Sequence, residues 1–152
     1  MTVHRHRYFI VVLASLFAAC GSNPTAPSSP SLAFTITPNP VPTSGTSTAC
    51  VGTPAKSWFW TVDIRNTGTA TFTAASFTNT VVIPGVPSVI SQGTANDFLG
   101  LFGSTTIAPN ASVQGRACIG LVTPPIGTVT STTVLRGQSG ESFTTPVVQL
   151  LQ

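Results

Sequence analysis

Few residues in this chain could carry chemistry. Beside its many hydroxyls and the amine of Lys56, the side chains able to ligate metals, attack carbonyls or move protons near neutral pH are three cysteines (Cys20, Cys50, Cys118), two histidines (His4, His6) and three carboxylates (Asp63, Asp97, Glu141). Both histidines lie ahead of Cys20, so no imidazole remains beyond it. That excludes Ser-His-Asp and Cys-His nucleophilic catalysis, histidine acid/base work and His-based zinc sites for the rest of the chain. The carboxylates are far apart in sequence, and a paired-carboxylate glycosidase site would need Asp63, Asp97 and Glu141 to converge in the fold. An enzyme is therefore the last of the function classes to expect. No catalytic residue, metal site or cofactor is assigned.

The segment around Cys20, RYFIVVLASLFAACGSNPTAPSSP, decides how the cysteines are read. His4-Arg5-His6-Arg7 is basic, and Tyr8 to Ala19 is an apolar run of about a dozen residues, the pattern of a secretory signal peptide. The run is too short for a transmembrane helix, which needs about 20 apolar residues. Alternatives are an ordinary exported protein cut nearby or a signal anchor left uncut. Ala18-Ala19 before Cys20 resembles the lipobox of bacterial lipoproteins, with Phe17 where Leu is usual. The resemblance implies cleavage after residue 19, a diacylglycerol on the Cys20 thiol and an amide-linked acyl chain, a set that anchors stably where one chain is marginal. Gly21 in place of Asp resembles the lipoproteins passed to an outer membrane, where the organism has one. Lipidation of Cys20 also removes the odd thiol, leaving Cys50 and Cys118 to pair as a structural disulfide in an oxidising compartment.

Cleavage would leave 133 residues, enough for one domain with one core. Arg5 and Arg7 leave with the signal, so the formal charge falls from +3 to +1: Lys56, Arg65, Arg116 and Arg136 against Asp63, Asp97 and Glu141. Four scattered cations make no phosphate-binding stripe, and no nucleic-acid partner is expected. Charged residues are only 6% of the chain, so Ser, Thr, Asn and Gln must fill the solvent-facing positions. Residues 20–31 form the lipidated cysteine and a Pro/Ser-rich tether that cannot bury enough surface to fold.

From Leu32 to Gln152 the segments are short, β-branched, Thr-rich and divided by Pro, Gly and Asn, with no helical apolar repeat. Strands are predicted near Leu32 to Thr37, Ser47 to Val51, Ser57 to Arg65, Ala70 to Val82, Ala111 to Val122, Thr128 to Arg136 and Glu141 to Leu150. In Ser57 to Arg65, Trp58, Trp60, Val62 and Ile64 share one face, which should centre the core and leave Phe59 outward. Asn66-Thr67-Gly68 is expected to turn the chain with a positive φ. Phe72 and Phe77 are an odd number apart, and both can face inward only with a bulge near Ala74-Ala75 or a strand break. Arg136 to Glu141 reads as a hairpin, and Pro146 places the last strand at an edge or a bulge.

WTVDIRNTGTATFT resembles the strand, Asn-x-Gly turn and strand of immunoglobulin-like domains of bacterial surface proteins, including the cell-adhesion-related type. IAPNASVQGRACIG is similar to a later strand and its lead-in in those domains, with Asn110 where Gly is usual. The resemblance implies an all-β fold: an immunoglobulin-like antiparallel β-sandwich of about seven strands over residues 32–152. The expected function is a non-enzymatic, membrane-anchored envelope lipoprotein that binds a protein partner or serves as a structural module. The alternative is a carbohydrate or envelope-polymer module using exposed aromatics. Residues 83–109 lose the alternation, and DFLGLFG sets Phe98, Leu99, Leu101 and Phe102 between glycines. This segment is either an extra strand or lid packed over the sandwich, or, together with Phe59, an apolar patch for a partner.

Overall fold

Period-two alternation of apolar and polar residues sets most of the strands. The computed structural model describes residues 28–44, 50, 56–122 and 126–151. The signal segment, Cys20, most of the tether and, Cys50 apart, the strand expected at Ser47 to Val51 lie outside the described residues. Nine strands and one helix follow in order: β1 (Leu32–Thr37), β2 (Lys56–Asn66), β3 (Phe72–Val82), β4 (Val89–Thr94), α1 (Ala95–Phe102), β5 (Thr106–Ile107), β6 (Ser112–Leu121), β7 (Val129–Gly137), β8 (Ser142–Thr144) and β9 (Val148–Leu150). They form two antiparallel sheets, ordered β1-β2-β6 and β4-β3-β7-β8, with β9 following β8 along the free side of β7 and β5 pairing with one end of β3. The chain is an all-β sandwich.

Trp58, Trp60 and Ile64 are buried, as their alternation along β2 requires, and Val62 packs between the two halves of the core. One half gathers Trp58, Trp60, Val81, Val129, Val148 and Leu150; the other gathers Ile64, Phe72, Ala74, Phe98, Ile107 and Leu135. The indole N–H of Trp58, fully buried, donates to the Leu151 carbonyl, so the apolar body enters the core without stranding its polar atom. The β3–β7 register shifts between Ala74 and Ser76, and this bulge brings Phe72 and Phe77 to the same core half. Pro146 falls in the gap between β8 and β9, dividing the edge strand where proline cannot donate to the ladder. The β7–β8 hairpin turns at Gly140, with φ +90°.

Three expectations need correction. A helix is present: α1 starts at Thr94 with a capping box, in which the Thr94 hydroxyl accepts from Asp97 N–H and the Asp97 carboxylate accepts from Thr94 N–H, and it ends at Gly103 with φ +73°. Eight residues are too few to display an apolar repeat, but Thr94-x-x-Asp97 ahead of Phe98 and Leu99 is its local signature. Second, the Asn66-Thr67-Gly68 turn uses no positive φ. Gly68 is needed because a Cβ there would fall on the Ser29 carbonyl and the Ser31 amide. That close approach gives the third correction: the tether is not free up to Ser31. Ser29 carbonyl accepts from Thr69 N–H at 3.1 Å and Ser31 carbonyl from Thr67 N–H at 2.7 Å, so Ser29 to Ser31 are held against the domain.

Candidate functional site

The two core halves do not meet across their whole width. Between them the facing sheets leave a cleft of about 410 Å³, within the range of small-molecule sites. Its origin is the size and polarity of inward residues. Alternation places Gly115 and Ala117 of β6 opposite Asn79 of β3 and Ser131 and Thr133 of β7, where a packed sandwich would carry large aliphatic side chains. Phe34 and Ile36 of β1, Trp60 and Val62 of β2 and Phe77 of β3 supply apolar walls. Ser91 of β4, Leu101 of α1 and the Arg116–Cys118 stretch of β6 also line it on the side of the β4 and β6 edges, and Thr145 and Val148 line it on the side of β8 and β9. A Cβ on Gly115 would come within 2.8 Å of both the Leu101 carbonyl and the Phe102 ring, which explains how closely α1 sits on β6.

One wall is polar. The Asn79 side-chain oxygen accepts hydrogen bonds from the Ser131 hydroxyl at 2.8 Å and the Thr133 hydroxyl at 3.2 Å. Asn79 stands directly across the ladder from Thr133, and Ser131 is one inward position along. Ser131 is 2% exposed. With its oxygen occupied by two donors, the carboxamide of Asn79 is fixed, and its Nδ2 has no hydrogen-bond partner among the described residues. A sealed, dry void of this volume would cost on the order of 10 kcal/mol, comparable with the whole stability of a small domain. The polar wall permits hydration instead. Sequence reasoning assigned Ser, Thr and Asn to the surface and missed this wall. The signal was the inward set Val129-Ser131-Thr133-Leu135, whose middle two members break an apolar series.

The expected site residues scatter. Cys50 and Cys118 form a disulfide with Cα atoms 5.9 Å apart, and Cys20 lies outside the described residues. Phe98 is 1% exposed and stacks at 4.5 Å on the half-buried Phe102, so these two pack inward. Leu99 and Leu101 are exposed on α1, and Phe59 is half-buried on β2. Residues 83–109 thus combine an edge strand, a helix over the sandwich opening and the short β5, with only part of the apolar set at the surface. The exposed large apolar side chains among the described residues are all aliphatic, both tryptophans are buried, and Phe59 is the part-exposed aromatic beside them. The carboxylates sit on separate elements: Asp63 in β2, Asp97 in the first turn of α1 and Glu141 in the β7–β8 turn. Among the described residues no group of three or more His, Cys, Asp or Glu could hold a metal, and no helix is long and apolar enough to cross a membrane.

No family model matches the chain, and no curated protein matches it. Among solved structures, the X-ray structure of the Northeast Structural Genomics Consortium target SoR45 is similar, with a TM-score of 0.55 and 19% identity, covering 80% of this chain and 87% of that one. A Bordetella pertussis protein described as ApaA aligns over 83% of this chain and 94% of its own with 21% identity and a TM-score of 0.46. The first of these likenesses supports the sandwich architecture and concerns the fold alone.

Proposed function

We propose that this chain is a non-enzymatic envelope lipoprotein whose immunoglobulin-like domain holds a small molecule in the cleft between its sheets. The observation that carries the reading is the cleft itself: apolar walls and one polar wall without an ionisable group, enclosed between the two sheets. Such a lining favours retention over reaction, since no general base or nucleophile with a partner base faces it. Setting aside the short β5 and counting β8 and β9 as one divided edge strand, the first, second and fifth strands share one sheet and the third, sixth and seventh share the other, as in the immunoglobulin fold, while the fourth pairs with the third. This distribution supports the immunoglobulin-like reading. The anchor at Cys20 would keep the domain at the membrane, on the outer membrane where one exists.

A photoreactive amino acid at Leu101, on the rim, tests the binding reading in cells. A defined small-molecule adduct is expected from Leu101 and not from the exposed Val122, and the absence of any adduct specific to Leu101 would count against it. The anchor is tested separately. Cys20→Ser should release the protein from the membrane fraction, and the native mature chain should begin with an acylated Cys20.

A second reading rests on a different surface. β4 is an edge strand with Val89 and Ile90 exposed, continuous with exposed Val82 and Val86 across the β3–β4 hairpin. A protein partner adding a strand there would use its free backbone groups and cover this aliphatic patch. Ile90→Lys should abolish such an assembly and leave the cleft adduct intact.

A further inference from the structure

The ligand's chemistry follows from what the polar wall has left over, and the inference rests on the reading of the cleft as a binding site. Ser131 and Thr133 commit their protons to the Asn79 oxygen, which fixes the outward-going group of that carboxamide as its NH₂. Two N–H donors are therefore presented by a residue lining an otherwise largely apolar cleft, with no acceptor from the described chain upon them. An apolar occupant would cover these N–H groups and strip their water without replacing it, so an occupant able to accept there is favoured over a hydrocarbon of the same shape.

Charge narrows the class further. Arg116 is the one ionisable side chain among the described residues that line the cleft. Strand alternation puts it on the opposite face of β6 from the core-packed Val113 and Ala117, and it is exposed. Its guanidinium is solvated, and the polar wall itself holds only an amide and two hydroxyls. A carboxylate carried to that wall would be desolvated without a cation to pair it. We propose that the cleft binds an amphipathic molecule made of an apolar chain and an uncharged hydrogen-bond acceptor, an ester or amide carbonyl, with the carbonyl taken by Nδ2 of Asn79. Trp60, Val62 and Phe77 enclose the chain. An acyl ester has this chemistry.

Residues 20–152 carrying Cys20→Ser, free of any acyl chain of their own, can be titrated with methyl dodecanoate, dodecanoate and dodecane. Trp60, in the cleft wall, gives a fluorescence change, and the shift in melting temperature gives an independent reading. The ester is expected to bind about tenfold more tightly than the alkane, the size of effect one hydrogen bond supplies. Asn79→Leu should close that gap while leaving dodecane binding in place. Ser131→Ala with Thr133→Val, which frees the carboxamide to rotate, should narrow it without removing the amide, and keeps the question answerable if Asn79→Leu does not fold. Equal binding of ester and alkane by the native chain would overturn the carbonyl assignment and leave the cleft as a binding site. Strongest binding by dodecanoate, lost in Arg116→Gln, would overturn it in favour of a carboxylate. No response to any of the three probes would remove the assignment together with the binding reading beneath it.

Discussion

Asn66 ties four segments together from the end of β2. Its side-chain oxygen accepts from Ser31 N–H at 3.2 Å and Gly68 N–H at 3.0 Å, while its NH₂ donates to the carbonyls of Ala70 at 2.8 Å and Ile107 at 2.9 Å. The residue is fully buried, and its bond to Ile107 is buried with it while the other three are part-buried, so a truncated side chain leaves at least the Ile107 carbonyl without water to replace it. Asn66→Ala should lower the unfolding free energy by roughly 3–5 kcal/mol, read from urea denaturation. Asn66→Asp should be comparably damaging, because a carboxylate keeps the acceptor but replaces the doubly donating NH₂ with one oxygen facing two carbonyls. If either variant unfolds at the native midpoint, the central place given to Asn66 is wrong. Asn110 shows the complementary use of the same residue type: its φ of +63° is the one positive value outside glycine among the described residues, a conformation Asn tolerates better than β-branched residues do. That accounts for an asparagine at this position.

At the scale of the element, α1 depends on one ion and one glycine. Hydrogen bonds from the Thr94 backbone N–H and then from its hydroxyl, both at 2.7 Å, hold the Asp97 carboxyl below its ordinary value of 3.8. A carboxylate with a depressed folded pKa contributes stability that is fully present above the unfolded value and lost as pH falls through the folded one. The start of α1 should therefore be intact at neutral pH and begin to open only below about pH 3.8, with a lower protection of the Asp97 amide, its exchange rate being compared with that of an unfolded amide at the same pH. Asp97→Asn should make that protection independent of pH in this window; a carboxylate-free variant that still responds would place the titration elsewhere. Gly115 governs the other side of the helix. Gly115→Ala puts a methyl against the Leu101 carbonyl and the Phe102 ring, each 2.8 Å from the added carbon. A loss of about 1–3 kcal/mol is expected, with the greatest change in exchange rates on α1.

For the molecule as a whole, the disulfide and the cleft pull in opposite directions. Cys50–Cys118 spans 68 residues of sequence and fastens a residue of β6 to the segment before β2. Chain-entropy models give such a link roughly 4 kcal/mol. Cys50→Ala with Cys118→Ala should lower the denaturation midpoint accordingly, and exported native protein should have a mass 2 Da below its fully reduced form, the two protons lost on pairing. The cleft is volume the domain leaves unpacked. Ala117→Leu, directed at it from β6, should raise stability by about 0.5–2 kcal/mol and abolish the ligand-induced melting shift. A variant that is more stable and still binds would show that the ligand sits elsewhere.

Much of this architecture can be read along the chain because its causes are local. A two-residue period is visible in a single strand, which is why Trp58, Trp60 and Ile64 could be placed inside and Leu32–Thr37 bounded from the sequence. The parity of Phe72 and Phe77 likewise demanded the bulge found between Ala74 and Ser76. Signals spread over many residues were invisible. α1 is too short for periodicity, and Gly68 reads as a turn residue until residues 29–31 lie against it. Composition and order alone determined that the chain beyond Cys20 contains no imidazole, carries three separated carboxylates and is patterned for strands. Only the tertiary structure decided that Asn79, Ser131 and Thr133 turn toward one another inside the sandwich, because hydrogen bonds between strands 52 and 54 residues apart exist only after β3 and β7 have paired in register.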